Sequence, residues 1–275
     1  MSPVNSMDYS GKDTVLDVIR KESGDFFSLV DDPDNWHVQT RCTEWEVRDL
    51  VGHMIDVTEG YLLRWDKARN NEPIGTAGLL VMADSLNDHA QSYRNLPRQE
   101  AIDRLKNDYD QMMPIFESLT ADEWGNFMVT HPFMGALPTL FYPAFHVMDY
   151  GVHTWDIRYG LGEKTRKLDE RTAGVLVPYM LYALLPSTVD APSAEGVDVE
   201  YGIEISGEWG GKWRARVKDG KFEAKPEQDN FEGCDAIFSY NPSDFVLTSF
   251  QRYPGGAARG DYEIIETVRN LFFTI

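Results

Sequence analysis

The chain has little cysteine and little positive charge. Its 275 residues include two cysteines, Cys42 and Cys234, one in each half and neither in a metal-binding or redox spacing. That argues against a disulfide scaffold and fits a reduced, cytoplasmic protein whose thiols are structural. Lys and Arg number 26 against 45 Asp and Glu, a formal charge of −19, with the acids spread along the chain. Such a surface repels phosphate backbones and anionic lipid, so neither nucleic acid nor a membrane is expected as partner. No apolar run has membrane-spanning length, and the polar start from Met1 to Thr14 does not read as a signal peptide.

What is present is helical periodicity, then alternation. Residues 1–11 read as a disordered lead-in. Val15, Leu16, Val18, Ile19, Phe26, Phe27, Leu29 and Val30 then recur at helical spacing up to Asp31-Asp32-Pro33. Thr43-Glu44-Trp45-Glu46 has the form of a capping box, opening a helix with Val47, Leu50, Val51, Met54, Ile55 and Trp65 inward and His53 in the stripe. Pro73 to Thr76 reads as a loop. Further helices are expected over about 77–93, 97–119, 138–159 and 168–185. Beyond Pro186 the period changes: Val197 to Ile205 alternates as a half-buried strand does. Turns at 207–211 and 218–221 flank strands near Trp213–Val217 and Phe222–Ala224; one more strand, Ala236–Tyr240, precedes helices over 242–253 and 262–273. The expected architecture is a four-helix bundle over 1–165 followed by a smaller α+β domain over 166–275.

A lone histidine on an apolar helix face is ordinarily a satisfied core residue, and His37, His89 and His131 read as structural or surface. His53, His146 and His153 each lie within one or two turns of a carboxylate on the same helix. His53 is flanked by Asp49 and Asp56, and Asp149 stands one turn from both His146 and His153. An inward-facing Asp149 needs a partner. A divalent cation and a metal-free His–Asp hydrogen bond serve equally on spacing alone.

The segment Trp36 to His53, with Thr40, Cys42 and Trp45-Glu46-Val47-Arg48-Asp49-Leu50-Val51-Gly52-His53, resembles the N-terminal signature of the mycothiol-dependent maleylpyruvate isomerase family, which belongs to the DinB-like metal-binding bundles. Asp149, His153 and Asp156 match that family's Glu-x-x-x-His-x-x-Asp, with Asp for Glu at the first position. The order of domains also matches, since such proteins commonly end in a sterol-carrier-like α+β domain. The resemblance implies His53, Asp149 and His153 as metal ligands, with His146 in reserve should the shorter Asp149 not reach. Asp156 would orient a ligating imidazole. Zinc is the first choice of metal, with iron, nickel, cobalt and manganese also suited to this ligand set.

The same resemblance implies an enzyme in which a metal-held thiolate, from mycothiol or a related low-molecular-weight thiol, attacks a small electrophile in a transferase or isomerase reaction. Tyr61, Trp65, Tyr142, Tyr150 and Trp155 would offer polar tips to the thiol cofactor, although aromatics at helical spacing are more often core. Arg252, with Arg259 next, sits where the family has an arginine for an anionic substrate. The rival readings are a metal-dependent hydrolase, a non-haem iron enzyme and a non-catalytic small-molecule binder. Oligomeric state is left open between monomer and homodimer.

Overall fold

The structure is a computed structural model that describes residues 5–72 and 74–273. The chain divides into two compact units, one running from Met7 to Arg166, the other beginning at Lys167 and including Ser6.

The first unit is helical. Its elements are α1 (Lys12–Val30), α2 (Val47–Arg69), α3 (Leu79–Gln91), α4 (Arg98–Ser118), the short α5 (Ala121–Asn126), a hairpin of β1 (Met128–His131) and β2 (Gly135–Pro138), and α6 (Phe141–Gly160). Helix α1 packs on α6, and α2 on α4 and α3. The stripe read from the sequence is the one that is buried: Val47, Leu50, Val51, Met54 and Ile55 join Phe26, Val30, Ile102, Leu105 and Tyr150 in one core. Leucine-sized side chains buried on facing helices each contribute about 1.5–3 kcal/mol.

Three local expectations change. The capping box that opens α2 lies three residues further on, with Glu46 as N-cap and Asp49 at the third helical position. Residues 43 and 44 are turn. Asp49 is drawn into this role because Arg94 grips both its oxygens, at 2.6 and 2.7 Å, while the carboxylate is fully buried. The hairpin β1–β2 has no counterpart in the sequence reading. The lead-in is anchored where it is described: the buried Ser6 donates to the Val175 carbonyl at 2.7 Å, and Tyr9–Gly11 forms a single 3-10 turn. Residues 1–4 of that lead-in, and Pro73 of the expected loop, lie outside the described residues.

The second unit holds α7 (Glu170–Tyr179), which passes through a π-helical turn at Met180–Leu184 into α8 (Leu185–Ser187). It continues with β3 (Asp198–Ile205), β4 (Gly211–Lys218), β5 (Lys221–Pro226), β6 (Ala236–Tyr240), α9 (Pro242–Ser249), β7 (Ala257–Gly260) and α10 (Tyr262–Arg269). The strands form one sheet in the order β5-β4-β3-β6-β7, with β3 and β6 parallel and the other pairs antiparallel. Asp219 and Gly220 both take positive φ, 50° and 71°, which closes β4 onto β5 through a tight turn. The edge strand β7 follows Pro254-Gly255-Gly256, which in the sequence signals only a turn between two helices. Among the described residues no helix is long and apolar enough to cross a membrane.

Two glycines of α2 make the packing testable. A Cβ at Gly52 would lie 2.4 Å from the Ala90 carbonyl oxygen, whereas one at Gly60 would meet nothing within 4 Å. Gly52→Ala is expected to destabilise the protein by about 1–3 kcal/mol, and Gly60→Ala to stabilise it by up to about 1 kcal/mol. Thermal melts showing the same sign for both would contradict this helix contact. A second test is electrostatic. Burial, assisted by Glu59, raises the Asp108 carboxyl to about 6, and its Oδ2 has no hydrogen-bond partner among the described residues. The folded state therefore holds a proton that the unfolded chain releases near pH 4, so stability falls as pH rises from about 4 to 6 and the loss is complete above that. Asp108→Asn should stabilise by roughly 1–2 kcal/mol at pH 7.5 and by nothing below pH ~4. An equal effect at both pH values would refute the assignment.

Candidate metal centre

His53 is the seventh residue of α2, on the stripe that turns into the bundle. Asp149, His153 and Asp156 occupy successive turns of α6. The three side chains His53, Asp149 and His153 are 7–8 % exposed, and their donor atoms all lie within 4.8 Å of one another. Donors about 2.0–2.2 Å from a shared ion stand roughly 3.3 Å apart in a tetrahedral site, so small side-chain rotations would close this set on a cation. The imidazoles of His53 and His153 meet edge to face, with ring centroids 5.1 Å apart. The Trp45 indole lies beside both, 5.0 Å from the first ring and 6.0 Å from the second. Its N–H is tied to Asn87 Oδ1 at 2.8 Å, which fixes the plane of this wall.

The chemistry of the donor set fits a metal ion. Among the described residues no donor hydrogen-bonds the Asp149 carboxylate, and burial pushes its carboxyl up to about 7, with His153 acting in the opposite sense. A carboxylate left this way is stabilised by a cation or by a proton. His153 has its Nδ1 3.0 Å from Asp156 Oδ2, and Asp156 is fully buried. With the Nδ1 proton given to that oxygen, the Nε2 lone pair is the one presented for coordination.

The flanking carboxylates of α2 serve elsewhere. Asp49 is engaged by Arg94, and Asp56 faces His89 at 3.2 Å. His146 belongs to neither group of metal-competent side chains among the described residues. It is buried against Phe116, Tyr61 and Tyr150, and burial takes it down to about 4, with the Tyr142 carbonyl opposing this. His131 is buried as well, with its Nε2 3.2 Å from the Tyr61 hydroxyl. Tyr61 has its own hydroxyl pKa raised by burial and by the nearby Asp149. Trp65 and Tyr150 pack in the bundle core, at 2 % and 0 % exposure, Trp65 against Phe116 and Tyr142.

Arg252 and Arg259 belong to the second unit. Arg252 Nη1 donates to the Phe250 carbonyl at 3.3 Å, and Arg259 Nη1 contacts Ser239 Oγ at 3.3 Å with Glu204 close by. One side chain at the centre was read from the sequence as structural only: Cys42, whose Sγ lies 3.3 Å from Asp156 Oδ2. It sits in a loop, where no periodicity marks it.

A comparison with curated protein sequences returns no match. Among solved structures, the chain is similar to the mycothiol-dependent maleylpyruvate isomerase, at 12% identity and a TM-score of 0.59, covering 91% of this chain and 94% of that one. A histidine-to-alanine mutant of that isomerase matches with a TM-score of 0.60 at the same identity and coverage. This likeness establishes the shared fold, a helical N-terminal region followed by a sheet domain. The family model described as the mycothiol maleylpyruvate isomerase N-terminal domain matches residues 16–158, which hold α2, all but the last two residues of α6, and every member of the candidate centre. Since that match spans just over half of the chain, the protein belongs to the mycothiol maleylpyruvate isomerase family.

Proposed function

We propose that this protein is a metal-dependent enzyme that adds a low-molecular-weight thiol of the mycothiol type to a small electrophilic metabolite, as an isomerase or an S-transferase. The observation that carries the reading is the convergence of His53, Asp149 and His153 from two helices, with a buried carboxylate among them that has no hydrogen-bond donor among the described residues. The reaction type rests on family membership, and the similar solved enzyme is a mycothiol-dependent isomerase.

Each side chain has a definable task. His53 and His153 offer neutral nitrogens, and Asp149 adds a single negative charge, so the donor set leaves a divalent ion with net positive charge. Zinc is the preferred ion on ligand type. Such an ion, when bound, supplies Lewis acidity that stabilises a thiol as its thiolate at neutral pH. Asp156 holds His153 in one tautomer and one orientation. Trp45 walls the two imidazoles on one side and restricts water there. Tyr61 has its hydroxyl beside His131, and the charge at Asp149 helps keep both that hydroxyl and the one of Tyr150 protonated.

The two reaction outcomes differ in the fate of the thiol. A conjugated electrophile takes up the thiol at one carbon; an isomerase returns it after rotation about the former double bond, and a transferase leaves it in the product. Turnover of conjugated electrophiles such as maleylpyruvate is therefore expected to require added mycothiol, with stoichiometric thiol loss marking the transferase. Asp149→Asn and His53→Ala should each lower kcat/KM by at least ~100-fold with the helical circular dichroism unchanged, and Asp156→Asn by about 10–100-fold. Thiol-independent hydrolysis, or full activity in the Asp149→Asn variant, would overturn the reading.

A further inference from the structure

The loop between α1 and α2 is built against the last turns of α6. The Arg41 amide donates to the Asp156 carbonyl at 3.1 Å. A Cβ at Gly160 would lie 2.2 Å from the Gln39 carbonyl oxygen, so only glycine lets the two backbones come this close. The loop is also closed on itself: Thr40 Oγ1 donates to the Trp45 carbonyl at 2.7 Å, Trp45 N–H donates to the Cys42 carbonyl at 3.0 Å, and the Gln39 amide donates to both of those carbonyls. The position of Cys42 is thus set by several independent contacts. Its Sγ stands 3.3 Å from Asp156 Oδ2, the same oxygen that lies 3.0 Å from His153 Nδ1.

We propose that Cys42 is a positioning residue for the metal centre: its thiol donates to Asp156 Oδ2, fixes the rotation of that carboxylate, and so holds His153 with Nδ1 protonated and Nε2 turned toward His53 and Asp149. The link to catalysis rests on the metal-centre reading above, while the hydrogen-bond relay does not. Two donors on one carboxylate oxygen limit its rotation more than one does, and a neutral thiol adds a weak donor without adding charge. Reading Cys42 as a ligand itself is the rival, since Cys42, His153 and Asp156 also present donor atoms within 4.8 Å of one another. That arrangement would break both hydrogen bonds at Asp156 Oδ2, so the relay is the arrangement the geometry favours.

The test compares the full-length parent with Cys42→Ser and Cys42→Ala by two readouts. The first is the imidazole nitrogen NMR spectrum of the metal-free proteins, with His153 assigned through a His153→Gln variant. The second is zinc affinity by competition with a chromophoric chelator. The relay predicts the Nδ1–H tautomer of His153 in the parent and in Cys42→Ser, where a hydroxyl donates in place of the thiol, and tautomer averaging in Cys42→Ala. It also predicts zinc binding within about 2-fold of the parent for Ser and roughly 3- to 10-fold weaker for Ala, below the effect of losing a direct imidazole partner. An unchanged His153 spectrum in Cys42→Ala overturns the proposal. So does a Cys42→Ser variant as weak as Ala, which would identify the sulfur as a ligand. Zinc failing to bind the parent would instead remove the metal-centre reading, and the metal-free spectra would still decide the relay.

Discussion

A carboxylate held almost out of water, with no hydrogen-bond donor among the described residues, is the constraint on which this molecule turns. Asp149 is 8 % exposed, on the inward face of α6, one turn from His153 and across from His53. Ionised and alone, it would carry an uncompensated desolvation penalty of several kcal/mol. Proteins satisfy such groups with donors, with a proton or with a cation. The surroundings here offer two imidazoles whose donor nitrogens lie within 4.8 Å of the carboxylate and of each other, a set able to share one ion. Under the proposed function, this arrangement in the middle of a bundle is the place for a cation.

The contrast with the other buried acids sharpens the point. Asp49 is more deeply buried still, yet Arg94 takes both its oxygens and the Glu46 amide donates to it. Asp156 is fully buried and has His153 and Cys42 on one oxygen. These two acids are satisfied within the protein, and their work is to shape helix α2 and to orient an imidazole. Asp149 is the member of the group whose partner the described residues do not supply. Asp49 and Asp156, bonded within the protein, shape the scaffold, whereas Asp149 stands beside the two imidazoles.

Much of this was legible in the sequence, for physical reasons that can be named. Helical spacing alone puts Asp149, His153 and Asp156 on one face, and His53 follows from its place in the apolar stripe of α2. Strict alternation marked Val197 to Ile205 as a strand, and β3 covers Asp198–Ile205. Other features left no readable trace. The hairpin strands Met128–His131 and Gly135–Pro138 are four residues each, too short for a period of two to stand out. The helix start was read three residues early because Thr43…Glu46 and Glu46…Asp49 both satisfy capping spacing, and Arg94, distant in sequence, decides between them. Cys42 reads as a structural thiol in the sequence because its neighbour Asp156 is 114 residues away in the chain. Contacts made across long sequence separations are the ones that local pattern cannot carry.

The most direct test is the metal content of untagged protein purified without chelator, measured by elemental analysis beside Asp149→Asn and His153→Ala. The account predicts about one equivalent of a divalent metal per chain in the parent, with zinc the expected element, and its loss from both variants while they stay folded. A folded parent that carries no metal and takes up none of zinc, iron, nickel, cobalt or manganese would contradict it.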